Sequence, residues 1–380
     1  MRPGSFPITR VVRNLRVACD QGYDTLYIGA ARDRDLPERD HWEGFAIERV
    51  GMSYALLGGK KAWLYLLGVI SFALAANWRL FRLRPAVVHG SDVEGMLGCL
   101  LYRVVFRRTT LIFNVHDNMS QRYRCPTWAK ATLRTFEGIV GRFADAVVLP
   151  DQRRVAALSP LARATEPVLV PNTPEDPGQP CDPPPGPTRL LLVGWLDWRR
   201  GVHAARDLLD RHDELELVVA GDGPPDVVAA IRSLPRTTFH GFVTHERVFE
   251  LARDCHAFVA LYDPVSEINR NASPNKVGDA LALGRPIIIN SEVAVAASLA
   301  QAGCAICVPY HDVDALAAAI RDTIDRPLER QRMSRAARAH YEAEYDWALF
   351  RPRVERLFPR VAAKPAAASR PDAAPSERAA

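Results

Sequence analysis

Residues 271–290 read NASPNKVGDALALGRPIIIN, and this stretch contains a helix start, a helix end and a buried strand in immediate succession. Ser273 is a favoured N-cap residue, and Pro274 at the first helical position gives up only an N–H that a helix start leaves unpaired. Gly284 suits the C-terminal cap, and Pro286 blocks the helix before the apolar residues that follow. A helix that leads straight into a buried strand predicts a layered α/β fold.

The first turn of this helix carries side chains of the kinds that bind a phosphorylated ligand. Free N–H groups and the positive dipole end favour an anion such as a diphosphate, and Lys276 stands beside them. Asn275, Lys276 and Asp279 are spaced to share one side of the helix, and a carboxylate one turn below a phosphate suits two ribose hydroxyls. An ordinary capped helix with a solvated Lys/Asp pair explains the same pattern, and the caps alone favour that simpler interpretation.

The composition is that of a soluble globular protein with room for two domains. The chain has 380 residues, of which 48% are hydrophobic and 24% are charged. Its net charge is +5, and lysines and arginines are dense before residue 135. This asymmetry indicates an acidic partner surface. Because aromatic residues do not alternate with the basic ones as in single-strand binders, we expect a membrane rather than nucleic acid.

One long apolar stretch, Ala62–Ala76, reads AWLYLLGVISFALAA. Its fifteen residues are fewer than the roughly 20 that span a bilayer. Basic and aromatic residues flank it at Lys60, Lys61, Trp63, Trp78, Arg79, Arg82 and Arg84. The stretch could lie in a membrane interface with its basic residues toward anionic lipid. A buried helix of an α/β layer explains it equally well, and the two interpretations are compatible if only one face packs.

The sequence predicts neither a metal site nor another cofactor. The seven cysteines are scattered, which indicates a reducing compartment. Cys304 and Cys307 form a CxxC on a predicted strand, where positions three apart face opposite ways. The two Asp-x-Asp triplets, at residues 33–35 and 312–314, fit a polar loop and a helix cap. The N-terminus has no apolar h-region, so we expect a cytoplasmic protein, peripheral at the inner face of the plasma membrane.

Apolar runs alternate with helical patterns, which predicts two doubly wound α/β domains with parallel sheets. The expected division is a first domain at 1–172, a proline-rich linker at 173–188, a second domain at 189–342, a C-terminal helix at 343–362 that returns to the first domain, and a disordered tail at 363–380. Strands are expected at 25–29, 45–50, 86–90, 110–115, 146–150, 168–171, 189–194, 216–221, 237–241, 256–262, 286–290 and 305–309.

The first domain is expected to lack its first strand. The chain opens with a loop at residues 1–9 and a helix at 10–21, whereas a doubly wound sheet normally begins with a strand. Either the first sheet is one strand short, or the true start lies upstream of Met1.

Candidate ligand-binding residues follow predicted strands in both halves. Ligands of open α/β sheets bind at the carboxyl ends of the strands, which selects His116 and Asp117 in the first half. In the second half the rule selects Gly194, Gly221 and Gly223. A single GxG is mostly a tight turn, and a lone histidine is more often structural. Their convergence at strand ends predicts a ligand-binding cleft between the domains.

Arg199 and Arg200 follow the strand that ends at Gly194. An arginine there can reach a phosphate in the cleft and neutralise the charge of a leaving group. A solvated charge at a helix start is the alternative, although arginine is electrostatically unfavourable at a helix N-terminus. We therefore favour a functional role.

Together, these stretches resemble the two-domain GT-B glycosyltransferases, specifically the retaining group called family 4, or glycosyl transferases group 1. Second-domain motifs similar to the family's are LLLVGWLDWRRGV at 190–202, LVVAGDGPP at 217–225 and SPNKVGDALALGRPIII at 273–289. First-domain matches are TRVVRNLRVACDQGYDTLYIG at 9–29 and IFNVHDN at 112–118. The resemblance implies two Rossmann-like domains and transfer of a sugar, with retention, from a nucleotide-sugar to a glycan or lipid-linked acceptor in polysaccharide or lipopolysaccharide biosynthesis.

The resemblance also implies roles for individual residues. Arg200 and Lys276 would bind the donor diphosphate, Asp279 would bind the ribose, and His116 would contact the transferred sugar near the reacting carbon. The catalytic set is thus His116, Arg200 and Lys276. The donor-binding set is Gly194, Arg200, Gly221, Gly223, Ser273, Pro274, Asn275, Lys276 and Asp279.

The chain departs from the family's pattern at several positions. The paired glutamates of the family fall on Asn271 and Asp279, so the first carboxylate is absent and the second is shortened. Trp195 stands where an arginine is common, and Gly4 is the one remaining candidate for the glycine-bearing loop under the donor. These departures keep two alternatives open, a catalytically weak nucleotide-sugar-binding assembly protein and another GT-B chemistry such as sugar-nucleotide epimerisation. The epimerase would need acid/base carboxylates, for which Asp117, Asp263 and Glu267 are the candidates.

Overall fold

The computed structural model describes residues 6–31, 36–52, 62–123, 125–164, 166–183 and 185–359. The expectations for Gly4, for the aspartates at 33 and 35, for Lys60 and Lys61, and for the tail at 363–380 fall outside these ranges.

The elements alternate between strands and helices along most of the described chain. The strands are β1 Tyr27–Ala30, β2 Arg39–Trp42, β3 Phe45–Val50, β4 Val87–Ser91, β5 Thr110–Asn114, β6 Ala146–Leu149, β7 Val168–Leu169, β8 Thr188–Trp195, β9 Leu215–Asp222, β10 Thr237–Phe239, β11 Ala257–Ala260, β12 Ile287–Asn290 and β13 Ala305–Val308. The α-helices are α1 Thr9–Asp20, α2 Ala62–Leu83, α3 Asp92–Val105, α4 Met119–Arg122, α5 Thr127–Gly141, α6 Gln152–Ala157, α7 His203–Arg211, α8 Pro225–Arg232, α9 His245–Arg253, α10 Glu267–Arg270, α11 Asn275–Ala282, α12 Ala296–Gln301, α13 Val313–Thr323, α14 Pro327–His340 and α15 Trp347–Glu355.

The second domain is a doubly wound sheet of six parallel strands in the order β10-β9-β8-β11-β12-β13. All six strands expected from the sequence are present, because each is a short apolar run between helices. The strand order reverses between β8 and β11, and a ligand crevice lies at the carboxyl ends of strands beside such a reversal. The sheet therefore places the ends of β8, β9 and β11 around one candidate site.

The first domain has its strands in two sheets within the described residues. Strands β4-β5-β6-β7 form a parallel sheet, whereas β1, β3 and β2 form a separate three-stranded one. Strand β2 was missed because its residues, RDHW, are mostly polar; it pairs antiparallel with β3 through a turn at Glu43 and Gly44, both at positive φ. No strand precedes α1 among residues 6–8.

The linker and the C-terminal helix connect the two halves. The backbone at the end of the first domain, just before the linker, crosses α11 so closely that a Cβ on Gly278 would lie 2.4 Å from the carbonyl oxygen of Asn172. Helix α15 packs against α1 through Trp347 and Val354, and Gln21 donates a hydrogen bond to the carbonyl of Glu355. These contacts hold the first-domain strand ends opposite those of the second domain.

Helix α2 is longer than the apolar run that suggested it. It continues from Ala62 to Leu83, and Leu64–Leu83 is long and apolar enough to cross a membrane by length and composition. Val69, Phe72 and Leu80 of this helix are buried against the rest of the domain. The expectation of a helix in the α/β layer is therefore confirmed, with one face packed and the other exposed.

Candidate active site

Helix α11 opens toward the cleft without a side-chain cap. The residue before its first turn is Pro274, with φ −75° and ψ 140°, so the expected N-cap at Ser273 is wrong by one residue. The carbonyl of Ser273 instead accepts a hydrogen bond from Nδ2 of Asn172, the last residue of the first domain. Because no side chain caps the helix, its first-turn N–H groups remain available to an anion. The predicted C-terminus is confirmed, since Gly284 follows the helix at φ 61°.

Lys276 projects from the first turn of α11 into the protein. Its Nζ donates to the carbonyl of Val259 at 3.1 Å and lies 5.6 Å from the centre of the Tyr262 ring. Burial, and then the positive charge of Arg200, lower the pKa of Lys276 to about 7. A diphosphate would reverse this, because an adjacent anion favours the charged ammonium.

The turn Trp198–Val202 separates the two arginines that follow β8. Arg200 and Gly201 leave helical geometry, with φ −125° and 88°, and the side chain of Asp197 accepts from the N–H of Arg199. The Arg200 guanidinium lies 5.8 Å from the Tyr262 ring, whereas Arg199 is exposed and points to Asp263 at 3.8 Å. The structure thus brings Arg200 to Lys276 and turns Arg199 away.

Asp279 is buried and already has a partner. His245 Nε2, at the start of α9, lies 3.0 Å from Oδ1 of Asp279. Burial disfavours the imidazolium, but the Asp279 carboxylate raises the pKa of His245 above its ordinary value on balance. Asp279 therefore does not share an open helix face with Asn275 and Lys276, and a ribose would meet a His/Asp pair. His245 is not among the residues predicted from the sequence; the one local signal is Thr244 before it, a typical N-cap residue.

Three glycines lie at the carboxyl ends of β8 and β9. Gly194 and Gly221 are register partners on β8 and β9. A Cβ on Gly221 would lie 1.9 Å from the carbonyl oxygen of Gly194, and one on Gly223 would lie 2.3 Å from that of Leu196. A Cβ on Gly194 would meet nothing within 4 Å. The loops therefore pack tightly on each other, while Gly194 itself borders open space.

These glycines provide a matched pair of variants. Gly221→Ala should lower the melting temperature by roughly 4–8 °C more than Gly194→Ala, because its methyl group overlaps backbone. Both positions have positive φ, so conformational strain alone does not distinguish them. Thermal unfolding measures this difference, and equal melting temperatures would contradict it. Gly194→Ala should instead weaken binding of a nucleotide that covers this position.

The first-domain side of the cleft is built around His116, which follows β5. Its backbone N–H donates to Oδ1 of Asp92 at 2.7 Å, and the N–H of Asp117 donates to the same oxygen at 3.3 Å. Burial, followed by the charge of Arg10, holds the pKa of His116 well below its usual value, so the ring is neutral. A neutral imidazole can accept or donate a hydrogen bond to a sugar hydroxyl.

A buried ionic network fixes this turn. Asp92, at φ 51°, pairs with Arg122 at 2.9 Å, and Asp117 pairs with Arg154 at the same distance. Burial raises the pKa of Asp92 to about 6, while Arg122 and the backbone donors keep it ionised at neutral pH. Asp92 follows β4 directly, so the strand-end rule could have identified it.

Arg10 connects the start of α1 to this network. Its guanidinium donates to the side-chain oxygens of Asn114 and Asn172 at 3.1 and 2.9 Å, and it is almost fully buried. Burial and the charge of Arg154 lower the pKa of Arg10 to about 10. Sequence reasoning had no signal for this role, because both asparagines are more than a hundred positions away.

A cavity of about 280 Å³ lies between the domains, and its lining includes none of His116, Arg200 and Lys276. Its lining residues are Gln121, Arg122, Tyr123, Cys125, Lys130, Val265, Ser266, Glu267 and Arg270. An ion pair between Lys130 and Glu267, 2.5 Å long, crosses from one domain to the other.

Within the described residues no group of three or more His, Cys, Asp or Glu side chains is placed to hold a metal ion. The helix cap expected for the Asp-x-Asp triplet at 312–314 is confirmed, since the side chain of Asp312 accepts a hydrogen bond from the N–H of Ala315 at the start of α13.

Residues 188–326 match the family described as Glycosyl transferases group 1. Two curated relatives are the glycogen synthases of Mycobacterium tuberculosis strains CDC 1551 / Oshkosh and ATCC 25618 / H37Rv. Each is 30% identical over 176 residues, which are 43% of this chain and 41% of the relative. The chain thus spans less than half the length of the curated relatives that it matches.

Solved structures share the fold over most of the chain. Sucrose-phosphate synthase from Thermosynechococcus elongatus has a TM-score of 0.72 at 18% identity, covering 92% of this chain and 91% of that one. Anabaena Alr3699/HepE in complex with UDP-glucose has a TM-score of 0.59 at 16% identity, covering 82% and 85%. A UDP-forming α,α-trehalose-phosphate synthase from Burkholderia xenovorans scores 0.59 at 12% identity, covering 90% and 96%. The architecture is therefore the GT-B fold, with two Rossmann-like domains.

Proposed function

We propose that the chain is a hexosyl-type glycosyltransferase that transfers a sugar from a nucleotide-sugar, with retention, to a glycan or lipid-linked acceptor. The observation that carries the proposal is the meeting of Lys276 and Arg200 at the uncapped start of α11. Two cations and free helix N–H groups form a site for a diphosphate. The family match of residues 188–326 and the UDP-glucose complex of a protein with the same fold support this substrate class.

The proposed chemistry relies on charge that is already in place before the reaction. A departing nucleoside diphosphate gains negative charge as the bond to the sugar breaks, and fixed donors stabilise that charge most in a site shielded from water. Lys276, Arg200 and the α11 amides would supply it, and the leaving phosphate would take the acceptor proton. His116 would hydrogen-bond the sugar from the opposite side. The proposal requires no metal and no further cofactor.

The acceptor and the location are part of the same proposal. An acceptor in polysaccharide or lipopolysaccharide biosynthesis, within family 4, would place the enzyme in the cytoplasm at the inner face of the plasma membrane. The basic and apolar residues at 60–84 would then adjoin anionic lipid.

The two alternatives make different demands on the cleft. An epimerase needs a free carboxylate as acid or base, but Asp117 pairs with Arg154, Glu267 pairs with Lys130, and Asp263 lies 3.8 Å from Arg199. A binding protein without catalysis would retain UDP-glucose and leave it intact. Incubation of the purified protein with UDP-glucose and a glycan or lipid-linked acceptor, followed by mass spectrometry of the products, distinguishes all three. Released UDP supports a transferase, an epimerised nucleotide-sugar supports the epimerase, and unchanged donor despite binding supports the assembly protein.

The Lys276 pKa predicts how donor binding depends on pH. Because this pKa is about 7 in the free protein, Lys276 is mostly neutral at pH 8 and must take up a proton to pair with a diphosphate. Affinity should be constant well below pH 7 and fall by up to about tenfold per pH unit above it. Calorimetry with UDP-glucose in buffers of different ionisation enthalpy should show uptake of about one proton at pH 8. Lys276→Arg, which stays charged, is the matched control, and no uptake by the wild type would contradict the assignment.

A further inference from the structure

Exposed apolar side chains are concentrated on three adjacent helices of the first domain. Helix α3 contacts both α2 and α5. Of the twenty-one large apolar side chains exposed within the described residues, twelve lie on these three helices. Exposed apolar side chains that are concentrated on neighbouring helices indicate an interaction site. We call the exposed side of α2, α3 and α5 the three-helix face.

Helix α2 is apolar on both of its sides. Phe72, Ala76 and Leu80 point inward, while Leu66 and Leu74 are 58% and 60% exposed on the outside. A surface helix of a globular protein normally has charged residues opposite its buried stripe. The exposed apolar side of α2 is therefore better suited to contact with lipid than with water.

The same helix is anchored to the domain and does not leave it. A Cβ on Gly98 of α3 would lie 3.1 Å from the Phe72 ring and 3.2 Å from the Ala76 methyl, so the two helices approach closely at this glycine. Asn77 of α2 donates to the carbonyl of Leu97 and accepts from the N–H of Tyr102. These contacts hold α2 flat against α3, which suits docking onto a bilayer surface rather than crossing it.

Basic residues outnumber acidic ones on the three-helix face. The acidic residues between positions 62 and 145 are Asp92, Glu94, Asp117, Glu137 and Asp145. Asp92, Glu94 and Glu137 are buried, Asp117 pairs with Arg154 in the cleft, and the exposed Asp145 pairs with Arg103. Five exposed arginines lie at the C-terminal ends of the helices or just beyond them, at Arg82, Arg84, Arg107, Arg108 and Arg142.

Exposed apolar side chains together with basic residues indicate an anionic membrane as the partner. Anionic lipid head groups attract basic residues, and an interfacial helix buries apolar and aromatic side chains at the acyl boundary. Trp78, with the Arg82 guanidinium 4.8 Å from its ring, has this mixed character. A second copy of the chain would bring the same positive charges and would be repelled.

We propose that the three-helix face docks on an anionic bilayer. Helix α5 begins beside the interdomain cavity, since Trp128 and Lys130 share its first turn and Lys130 lines that cavity. Docking therefore holds the cleft close to the lipid surface, where a lipid-linked acceptor resides. The inference rests on the proposed glycosyltransferase function for this consequence, but the docking itself can be measured independently.

The experiment is sedimentation of the purified full chain with vesicles. Vesicles of phosphatidylcholine with 30% phosphatidylglycerol should pellet the protein in 0.1 M NaCl, whereas pure phosphatidylcholine or 0.5 M NaCl should leave most of it in solution. The double variant Leu66→Glu/Leu74→Glu should lose binding at an unchanged melting temperature. Arg107→Ser/Arg108→Ser should weaken binding by roughly 25-fold, about fivefold for each charge. Leu328→Glu, at a site 79% exposed on α14 of the second domain, is the matched control and should bind as the wild type does.

Several outcomes would overturn the inference. Equal binding to neutral and anionic vesicles, or full binding by Leu66→Glu/Leu74→Glu, would show that this face does not recognise anionic lipid. A wild-type dimer that this variant converts to monomer would assign the face to self-association. UDP affinity is measured on the same preparations. Intact UDP binding without vesicle binding rejects the docking alone, whereas vesicle binding without UDP binding rejects the proposed function alone.

Discussion

Lys276→Ala is expected to lower the rate of UDP release from UDP-glucose by about 10²- to 10³-fold, the usual loss when one preorganised donor to a developing negative charge is removed. Lys276 is half-buried beside Arg200 and Tyr262 at the start of α11, where a leaving diphosphate would gain charge. The melting temperature should not fall. Burial opposes the charge of Lys276, so its removal relieves a desolvation cost. Initial rates and thermal unfolding of the purified variant give both quantities.

The adjacent arginines supply a matched control for this prediction. Arg200→Ala should also lower the rate strongly, because its guanidinium shares the site with Lys276. Arg199→Ala should stay within about twofold of the wild type, since its side chain is exposed and faces Asp263. Near-normal UDP release by Lys276→Ala, or equal losses for both arginine variants, would contradict the proposed site.

Asp92→Ala is expected to destabilise the first domain by about 3–5 kcal/mol, the range observed when one partner of a buried ion pair is removed. The change leaves the Arg122 guanidinium without one carboxylate and removes the acceptor for the N–H groups of His116 and Asp117. Denaturant unfolding gives the free energy of unfolding. If the first domain still folds, UDP release should fall as well, because the His116 turn is no longer held.

Two further variants separate the contributions to this effect. Asp92→Asn keeps an oxygen that can accept from the His116 N–H but loses the charge that pairs with Arg122, so the His116 turn should be better preserved than in Asp92→Ala. Asp322→Ala removes an exposed partner of Arg326 and should change the free energy of unfolding by no more than about 0.5 kcal/mol. An Asp92→Ala protein as stable as Asp322→Ala would show that the network does not support the cleft.

Local sequence patterns predicted the strands of the second domain and placed Lys276 and Arg200 near a helix start. Its strands are short apolar runs, and the glycine at 284 ends α11 as expected. Local sequence patterns do not predict the positions at which a distant residue replaces a local partner. Ser273 does not cap α11, and its carbonyl accepts from Asn172, a residue about one hundred positions earlier. The polar strand β2 was missed because its pairing with β3, and not its own side chains, makes it a strand.

Local sequence patterns are enough to predict the parallel α/β architecture of the second domain and the position of Lys276 and Arg200 near a helix start. Both features depend on periodicity, caps and turns, which are encoded within a few positions. The protonation states and partners of these groups depend on the folded structure. Burial lowers the pKa of Lys276, and Asp279 pairs with His245. Burial and the charge of Arg10 keep His116 neutral, and Asp92 holds the turn that carries His116. Each of these effects depends on desolvation and on charges brought together from distant parts of the chain, which no local pattern in the sequence specifies.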